Sequence, residues 1–401
     1  MSSSEPIAVF RVSRFGASVL LGPLLACSPD VGDSNLQIMT STSSEIPVNQ
    51  FPGNPPQDFL VVACADSSCT AGRHVGEAVH FAGLDLSGGV LGEVPASSPT
   101  QGWNHPELVR YQDGYLSVSA TDTAPALLVH DVQGRPISDP LLLAPAWPRG
   151  QWPDLALGED GRAMVVWSTK VDGLWAVVDP EAGHGIEGAP WERQNAFRTI
   201  DPPAVAAVPG GYVRAWTEKS DVGWALWLVW TDLDGRVQTD PQLVAEGPDP
   251  SRGARPQLAA CADGSVALAW RELETRLSPP QGAWLQIFHD TEPGPIARLD
   301  TAQGNRPTVA CALDGWLVAW EEPDDRGTQI WIQSRDPDGG PASEAVRASD
   351  QPGAQRVDLG LRESNGVDGL MTWEHVPPES SDPTQEVTGH VRPIPELTGT
   401  L

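Results

Sequence analysis

Arginine stands immediately ahead of three consecutive copies of a short apolar stretch, at Arg255, Arg306 and Arg356, and the equivalent positions of earlier copies hold His105, Trp152 and Asp201. A guanidinium presents paired N–H donors that match a carboxylate or phosphate. A ring of such residues could therefore hold an anion or an acidic sugar, with Trp152 and His105 beside it. Glutamates also recur one or two residues beyond a repeated Trp, at Glu218, Glu272, Glu321 and Glu374. They keep a second reading open, in which each Arg pairs with a Glu and locks neighbouring repeats together. Trp103, Trp191, Trp224 and Trp284 lie outside the repeated position and are the candidates for exposed sugar-stacking residues.

Other chemistry is not marked. TDLDGRVQTD (231–240) carries Asp232 and Asp234, but a calcium loop needs five or more oxygens ending in an acidic ligand, and Asp240 comes too late. A hairpin turn explains those residues. The histidines lack zinc spacing, and no Gly-x-Ser-x-Gly elbow, P-loop or dinucleotide fingerprint occurs. No catalytic residue, metal ligand or cofactor is assigned, and a binding protein is expected rather than an enzyme. Cys64 and Cys69, five residues apart, are expected to pair in an oxidising compartment. Cys261 and Cys311 each lie nine residues before a repeated Trp. Equivalent sites on neighbouring repeats diverge, whereas a disulfide needs Cα atoms within about 7 Å. Two separate buried thiols are expected there.

The elements that must position these residues come from a repeat. WPDLALGEDGRAMVVW (152–167), DPPAVAAVPGGYVRAW (201–216), RPQLAACADGSVALAW (255–270), RPTVACALDGWLVAW (306–320) and RVDLGLRESNGVDGLMTW (356–373) align on a terminal Trp. HPELVRYQDGYLSVSA (105–120) puts Ala120 in that place, and DFLVVAC (58–64) is read as a partial copy with Cys64 there. Proline opens a strand without costing a ladder hydrogen bond, Asp-Gly or Gly-Gly supplies a tight hairpin, and a second strand runs to the Trp. A third strand closing on Asp and a fourth stretch complete about 50 residues, the size of a propeller blade. Pro and Gly interrupt every window long enough for a helix. The 16 Trp, against 7 Phe and 3 Tyr, fit a copied inter-blade packing residue. The expected fold is all-β: a seven-bladed β-propeller of four-stranded antiparallel blades over residues 58–401, one blade being completed by both chain ends. LQIM (36–39) and EVTGHVRPI (386–394) are the candidates for its outer strands.

The N-terminus reads differently. Arg11 and Arg14 precede an uncharged run, FGASVLLGPLLA, too short to span a bilayer. Leu24-Leu25-Ala26-Cys27 resembles the lipobox of bacterial lipoproteins, with Leu25 departing from the small residue usual there. That resemblance implies a signal peptide over 1–26, lipidation of Cys27, and a tether over 27–57 rich in Ser, Pro, Asn and Thr. Ser28 implies the outer membrane rather than the inner. The pattern x-R-P-x-[LV]-A-x-x-x-D-G-x-[LV]-[LV]-A-W, covering roughly residues 58–392, resembles the repeats of bacterial surface β-propeller lipoproteins of the myxobacterial type. It implies architecture and leaves function open. With 53 acidic against 25 basic residues and a net charge of −28, nucleic acid is excluded as a partner. The expectation is a monomeric, lipid-anchored binding or scaffold module whose ligand is an envelope protein or glycan; a carbohydrate-binding or carbohydrate-active propeller is the alternative.

Overall fold

The computed structural model describes residues 46–47 and 57–393 apart from connecting stretches, the longest of which are 96–103, 144–150, 188–197, 274–281, 362–368 and 376–387. The lipobox, Cys27 and LQIM lie outside the described residues. Every described element is a β-strand, and the strands form seven antiparallel sheets. The first strand of each sheet lies innermost: Gln57–Cys64, Asn104–Tyr111, Gln151–Leu157, Ala204–Val208, Gly253–Ala260, Asn305–Ala312 and Ala354–Leu361. Each of these strands touches the next, and the last touches the first. Sheets arranged radially around one axis make a β-propeller.

Packing explains why the repeated residues are what they are. Side chains alternate faces along a strand, so each second strand serves two neighbours. In the fifth sheet Val266, Leu268 and Trp270 pack against the fourth sheet, while Ala267 and Ala269 face the sixth. The sixth sheet presents Trp316, Val318 and Trp320 to those alanines. Large residues thus meet small ones at the interface. Trp167, Trp216, Trp270, Trp320 and Trp373 are all buried. Separate apolar clusters fill the gap between every adjacent pair of sheets, including the seventh and the first.

Hydrogen bonds and turns reinforce these interfaces. Tyr115 Oη donates to the Ser68 carbonyl at 3.0 Å and Tyr212 Oη to the Arg162 carbonyl at 2.9 Å, each reaching into the preceding sheet. Asp232, one of the acids weighed for calcium, accepts from the backbone N–H groups of Asp234 and Arg236 at 2.9 and 2.8 Å, holding a turn. Asp234 pairs with Arg162 of the third sheet at 2.9 Å. Gly235 in that turn has φ of 78° and lies against the Trp175 ring, where a Cβ would overlap it. Gly339 repeats the arrangement at φ of 86° against Ile287.

Several sequence expectations need correction. Cys64 does not stand in the Trp position. Residues 57–64 form the first strand of their sheet, and the second strand is Cys69–Val75, in which His74 pairs with Asp58 as Ala120 pairs with Asn104. Cys64 and Cys69 are disulfide-bonded across the hairpin in place of the usual Asp-Gly turn, which hid the alignment. Cys261 and Cys311 are also joined, with Cα atoms 5.3 Å apart. First strands near the axis diverge too little to keep equivalent residues beyond disulfide reach. Trp224 is buried rather than exposed, packed among the residues between the fourth and fifth sheets. Trp284 is half-buried under Arg298, and Trp103 and Trp191 lie outside the described residues.

The seventh sheet combines both chain ends. Its order runs from Ala354–Leu361 through Gly369–His375 to Thr388–Pro393 and then Ile46–Pro47, with Ile46 opposite Val391. A chain ending at residue 387 leaves Gly369–His375 with an unpaired edge and Ile46–Pro47 without a partner. Its melting temperature is expected to fall by roughly 10 °C or more; an unchanged melting curve would show that joining the two ends contributes no stability.

Candidate functional site

The innermost strands begin at one end of the axis, and there the backbone is distorted in a repeated way. The pairing register shifts between Asp58 and Val61, Asn104 and Glu107, Gln151 and Asp154, Asn305 and Thr308, and Gln355 and Asp358. Within three of these bulges the residue before proline takes a left-handed backbone: His105 at φ 48°, Trp152 at 50° and Arg306 at 41°. A residue preceding proline ordinarily stays extended, and such non-glycine conformations cost on the order of 1–3 kcal/mol each. The strain turns these side chains toward the axis instead of along the sheet.

A cavity of about 160 Å³ opens at this end. His105, Trp152, Arg255 and Arg306 all line it, so four residues singled out from the repeat come together. Arg356 belongs to the equivalent position of the seventh sheet, but its side chain lies outside the described residues, as does Asp201. The His105 ring meets Trp152 edge-on with centroids 5.8 Å apart. The Arg255 guanidinium lies over the same indole, 5.7 Å from its centroid, reaching from the fifth sheet across the fourth. Arg306 pairs with Glu321 at 3.2 Å. Glu321 in turn accepts from Asn305 at 2.9 Å, and the Asn305 amide oxygen accepts from Arg271 at 2.6 Å. The Arg306–Glu321 pair joins two strands of one sheet; the link to the neighbouring sheet is the Arg271–Asn305 bond. Glu218 serves elsewhere, accepting from the Trp216 indole N–H at 3.0 Å.

Two residues further along the same strands, sequence reasoning missed a group of acids. Glu107, Asp154 and Asp358 line the cavity with Gln257 and Thr308. Their signal was available, because each is the second residue after the axial position in His-Pro-Glu, Trp-Pro-Asp and Arg-Val-Asp. Across the bulge, both positions of the His-Pro-Glu and Trp-Pro-Asp copies line the same cavity. Asp154 accepts from its neighbour Leu155 N–H at 2.8 Å and from Val205 N–H of the next sheet at 2.7 Å. Asp358 accepts from Val62 N–H at 2.8 Å, bonding the seventh sheet to the first. Glu107 has no hydrogen-bond partner among the described residues.

Enclosure dominates the titration of all three. Removal from water pushes Asp154 up to about 7, partly offset by the two backbone N–H groups that favour its charged form. Asp358 rises to about 6 for the same reason, again opposed by backbone N–H bonds. Glu107 is held well above the ordinary carboxyl range, by burial first and then by the charges of Asp154 and Asp358. Near neutral pH Asp154 is therefore about half protonated and Asp358 mostly ionised, while Glu107 is biased toward its neutral form. Among the described residues no group of three His, Cys, Asp or Glu has the geometry to hold a metal ion.

No family model and no curated protein sequence matches the chain. Solved structures resemble it in fold. An ulvan lyase of polysaccharide lyase family 25 superposes with a TM-score of 0.54 at 10% identity, covering 84% of this chain and 92% of that one. An α-L-arabinanase from Penicillium chrysogenum, complexed with arabinobiose, gives 0.52 at 12% identity, with 85% and 98% covered. Hydrazine synthase from Kuenenia stuttgartiensis gives 0.53 at 14% identity, with 81% and 95% covered. At such identities the likeness concerns the propeller fold alone.

The acids give the fold a definite pH response. In the unfolded chain Asp154 and Asp358 would titrate near 3.8, below their folded values. The folded state then binds more protons between those limits, so its stability falls as pH rises from about 4 to about 7. Asp154→Asn keeps an oxygen for Val205 but removes one titration. The drop in melting temperature between about pH 5 and about pH 8 should be smaller in the variant than in the parent. An identical drop in both would show that Asp154 holds no proton in this range.

Proposed function

We propose that this chain is a lipid-anchored cell-envelope propeller of seven blades that binds a small polar ligand in the cavity at the mouth of its axis. One observation carries the binding reading: His105, Trp152, Arg255 and Arg306, drawn from four different sheets, converge on a single cavity, three of them in strained backbone. Strain persists where the surroundings over-determine a conformation, and it clusters at ligand sites. An acidic body with a cationic mouth also discriminates against indiscriminate anion binding while favouring one location.

The enclosed acids favour a second reading, a carbohydrate-active propeller, and the ulvan lyase and arabinanase folds are compatible with it. Glycoside hydrolysis ordinarily needs two carboxyl groups free to act on either side of a bond. Here both oxygens of Asp154 accept backbone hydrogen bonds and Asp358 bonds Val62, leaving Glu107 alone open to the cavity. Binding without turnover is therefore the reading the geometry supports best.

Trp152→Ala tests the location. On a glycan array the parent is expected to bind, and the variant to bind at least roughly tenfold more weakly with an unchanged melting temperature. Undiminished binding by Trp152→Ala would move the site away from the axis, and a parent that binds nothing would remove the reading. The anchor rests on Leu24-Leu25-Ala26-Cys27 and is tested separately. A diacylated or triacylated cysteine supplies the two chains that stable anchoring requires. Cys27→Ser should release a soluble protein or leave an uncleaved precursor; retention of a processed variant on membranes through high-salt washing would refute lipidation there.

A further inference from the structure

Both disulfides lie where first strands end, away from the mouth, and they differ in what they join. Cys64–Cys69 closes one hairpin: the two residues face each other in the ladder of the first sheet, and both are buried. Cys261–Cys311 crosses from one sheet to another, linking the ends of the first strands of the fifth and sixth sheets. Both of its residues are only half-buried, and Ala262 and Leu313 close beside them stand exposed.

Other boundaries show what the second bond replaces. Tyr115 follows the hairpin glycine of the second sheet and Tyr212 that of the fourth. Each donates its hydroxyl to the last hairpin residue of the preceding sheet, Ser68 or Arg162. The sixth sheet has Trp316 after its hairpin glycine. That indole carries a single N–H, and it donates to the Pro337 carbonyl of its own sheet at 3.3 Å. The hydroxyl link back to the preceding sheet is lost at this boundary, and the disulfide makes the crossing instead. Farther out His289 and Asp338 approach to 3.4 Å, but both are exposed, and such pairs contribute little in water. At the mouth end of the same two strands Arg271 holds Asn305 at 2.6 Å. Between the two ends lie the packed alanines, Trp316 and Trp320.

We propose that Cys261–Cys311 is a redox site of this protein: a bond that a dithiol reductant opens and a disulfide oxidant recloses while the ring stays folded, setting how firmly the fifth and sixth sheets are held at their hairpin ends. A reductant thiolate attacks one sulfur, forms a mixed disulfide and releases the other cysteine as a thiolate, which takes up a proton. The reductant's second thiol loses its proton and displaces the remaining cysteine, which is protonated in turn. The reductant has given up two electrons and leaves as a disulfide. Reclosure with a disulfide oxidant is the same exchange in reverse. Attack requires the thiolate to reach a sulfur, and of the two bonds only the half-buried one offers that in the folded state. Opening removes the covalent tie and leaves the Arg271–Asn305 bond and the packed interface, so the boundary loosens at one end without coming apart.

The test uses the full chain, folded, at about pH 8 with dithiothreitol as the reductant. Thiols are blocked with iodoacetamide and located by peptide mass mapping. Cys261 and Cys311 are expected to be labelled at least roughly tenfold faster than Cys64 and Cys69. Opening the bond removes a cross-link between residues 50 apart in the chain. The melting temperature should fall by roughly 5–10 °C and recover when glutathione disulfide is added. Amide hydrogen exchange should quicken at the hairpin ends of Gly253–Ala260 and Asn305–Ala312 and stay unchanged in the second sheet. The double variant Cys261→Ala with Cys311→Ala should melt with the reduced parent and show no further response to dithiothreitol. Equal labelling of both pairs, or labelling of Cys261 and Cys311 only after the chain unfolds, would overturn the proposal. An unchanged melting temperature on reduction would show that the bond holds nothing at this boundary, and failure to recover would remove reversibility; either result overturns it. The labelling rates are read on the parent alone, so they decide the matter even where the double variant does not fold.

Discussion

The structure depends on one packing constraint: a second strand must present large side chains to the sheet before it and small ones to the sheet after it. Val266, Leu268 and Trp270 on one side and Ala267 and Ala269 on the other state the rule in five consecutive residues. A four-stranded sheet alone cannot cover both of its faces. Stacked against copies of itself it can, provided bulk on one face meets a shortage of bulk on the other. Interiors are close-packed, so the match has to hold at every interface. Removing one such indole would leave a void costing about 3–5 kcal/mol, a large part of the stability of an ordinary domain.

A ring built this way has a problem that a linear stack avoids, because the last sheet must satisfy the first. Here that closure is made several ways at once. Val62, Cys64 and Leu84 of the first sheet pack with Leu370 of the seventh. Asp358 bonds Val62 N–H across the same boundary. The seventh sheet takes its outermost strand from the N-terminal side of the chain. Burying an Asp at that junction is costly unless its oxygens are satisfied. Backbone N–H donors from the adjacent first strand satisfy them, and Asp154 repeats the device between the third and fourth sheets. The acids that alter the chemistry of the cavity are thus also ties between sheets.

Much of this was legible in the sequence because repetition amplifies weak signals. The Trp spacing, the Asp-Gly turns and the absence of helical windows gave the all-β blades and their order, and the Arg, Trp and His positions before the first strands marked the axial mouth. The failures have physical causes. In the first sheet a disulfide-closed hairpin replaced Asp-Gly, so the copy was aligned one strand out of place. Cys261 and Cys311 were expected to stay apart because equivalent sites on neighbouring first strands diverge around the axis, but that divergence is small enough to leave their Cα atoms 5.3 Å apart. Glu107, Asp154 and Asp358 went unnoticed because three acids among 53 carry no message until the fold puts them at one level of one channel.

The same geometry explains why the mouth can bear strained backbone. A bulge at the start of a first strand lies where the ladder has few hydrogen bonds to lose, and the proline after His105, Trp152 and Arg306 has no N–H to leave unpaired. The sheets beyond it, packed on both faces, have stability enough to hold the distortion. Inward rotation of those residues then follows from the bulge rather than from the side chains themselves. Different residues can occupy the position without changing the scaffold, which is why His, Trp and Arg appear there in turn while the Trp and Ala of the second strands recur. The repeat fixes the ring, while the residues at the start of each first strand and those two places further on vary around the mouth of the axis.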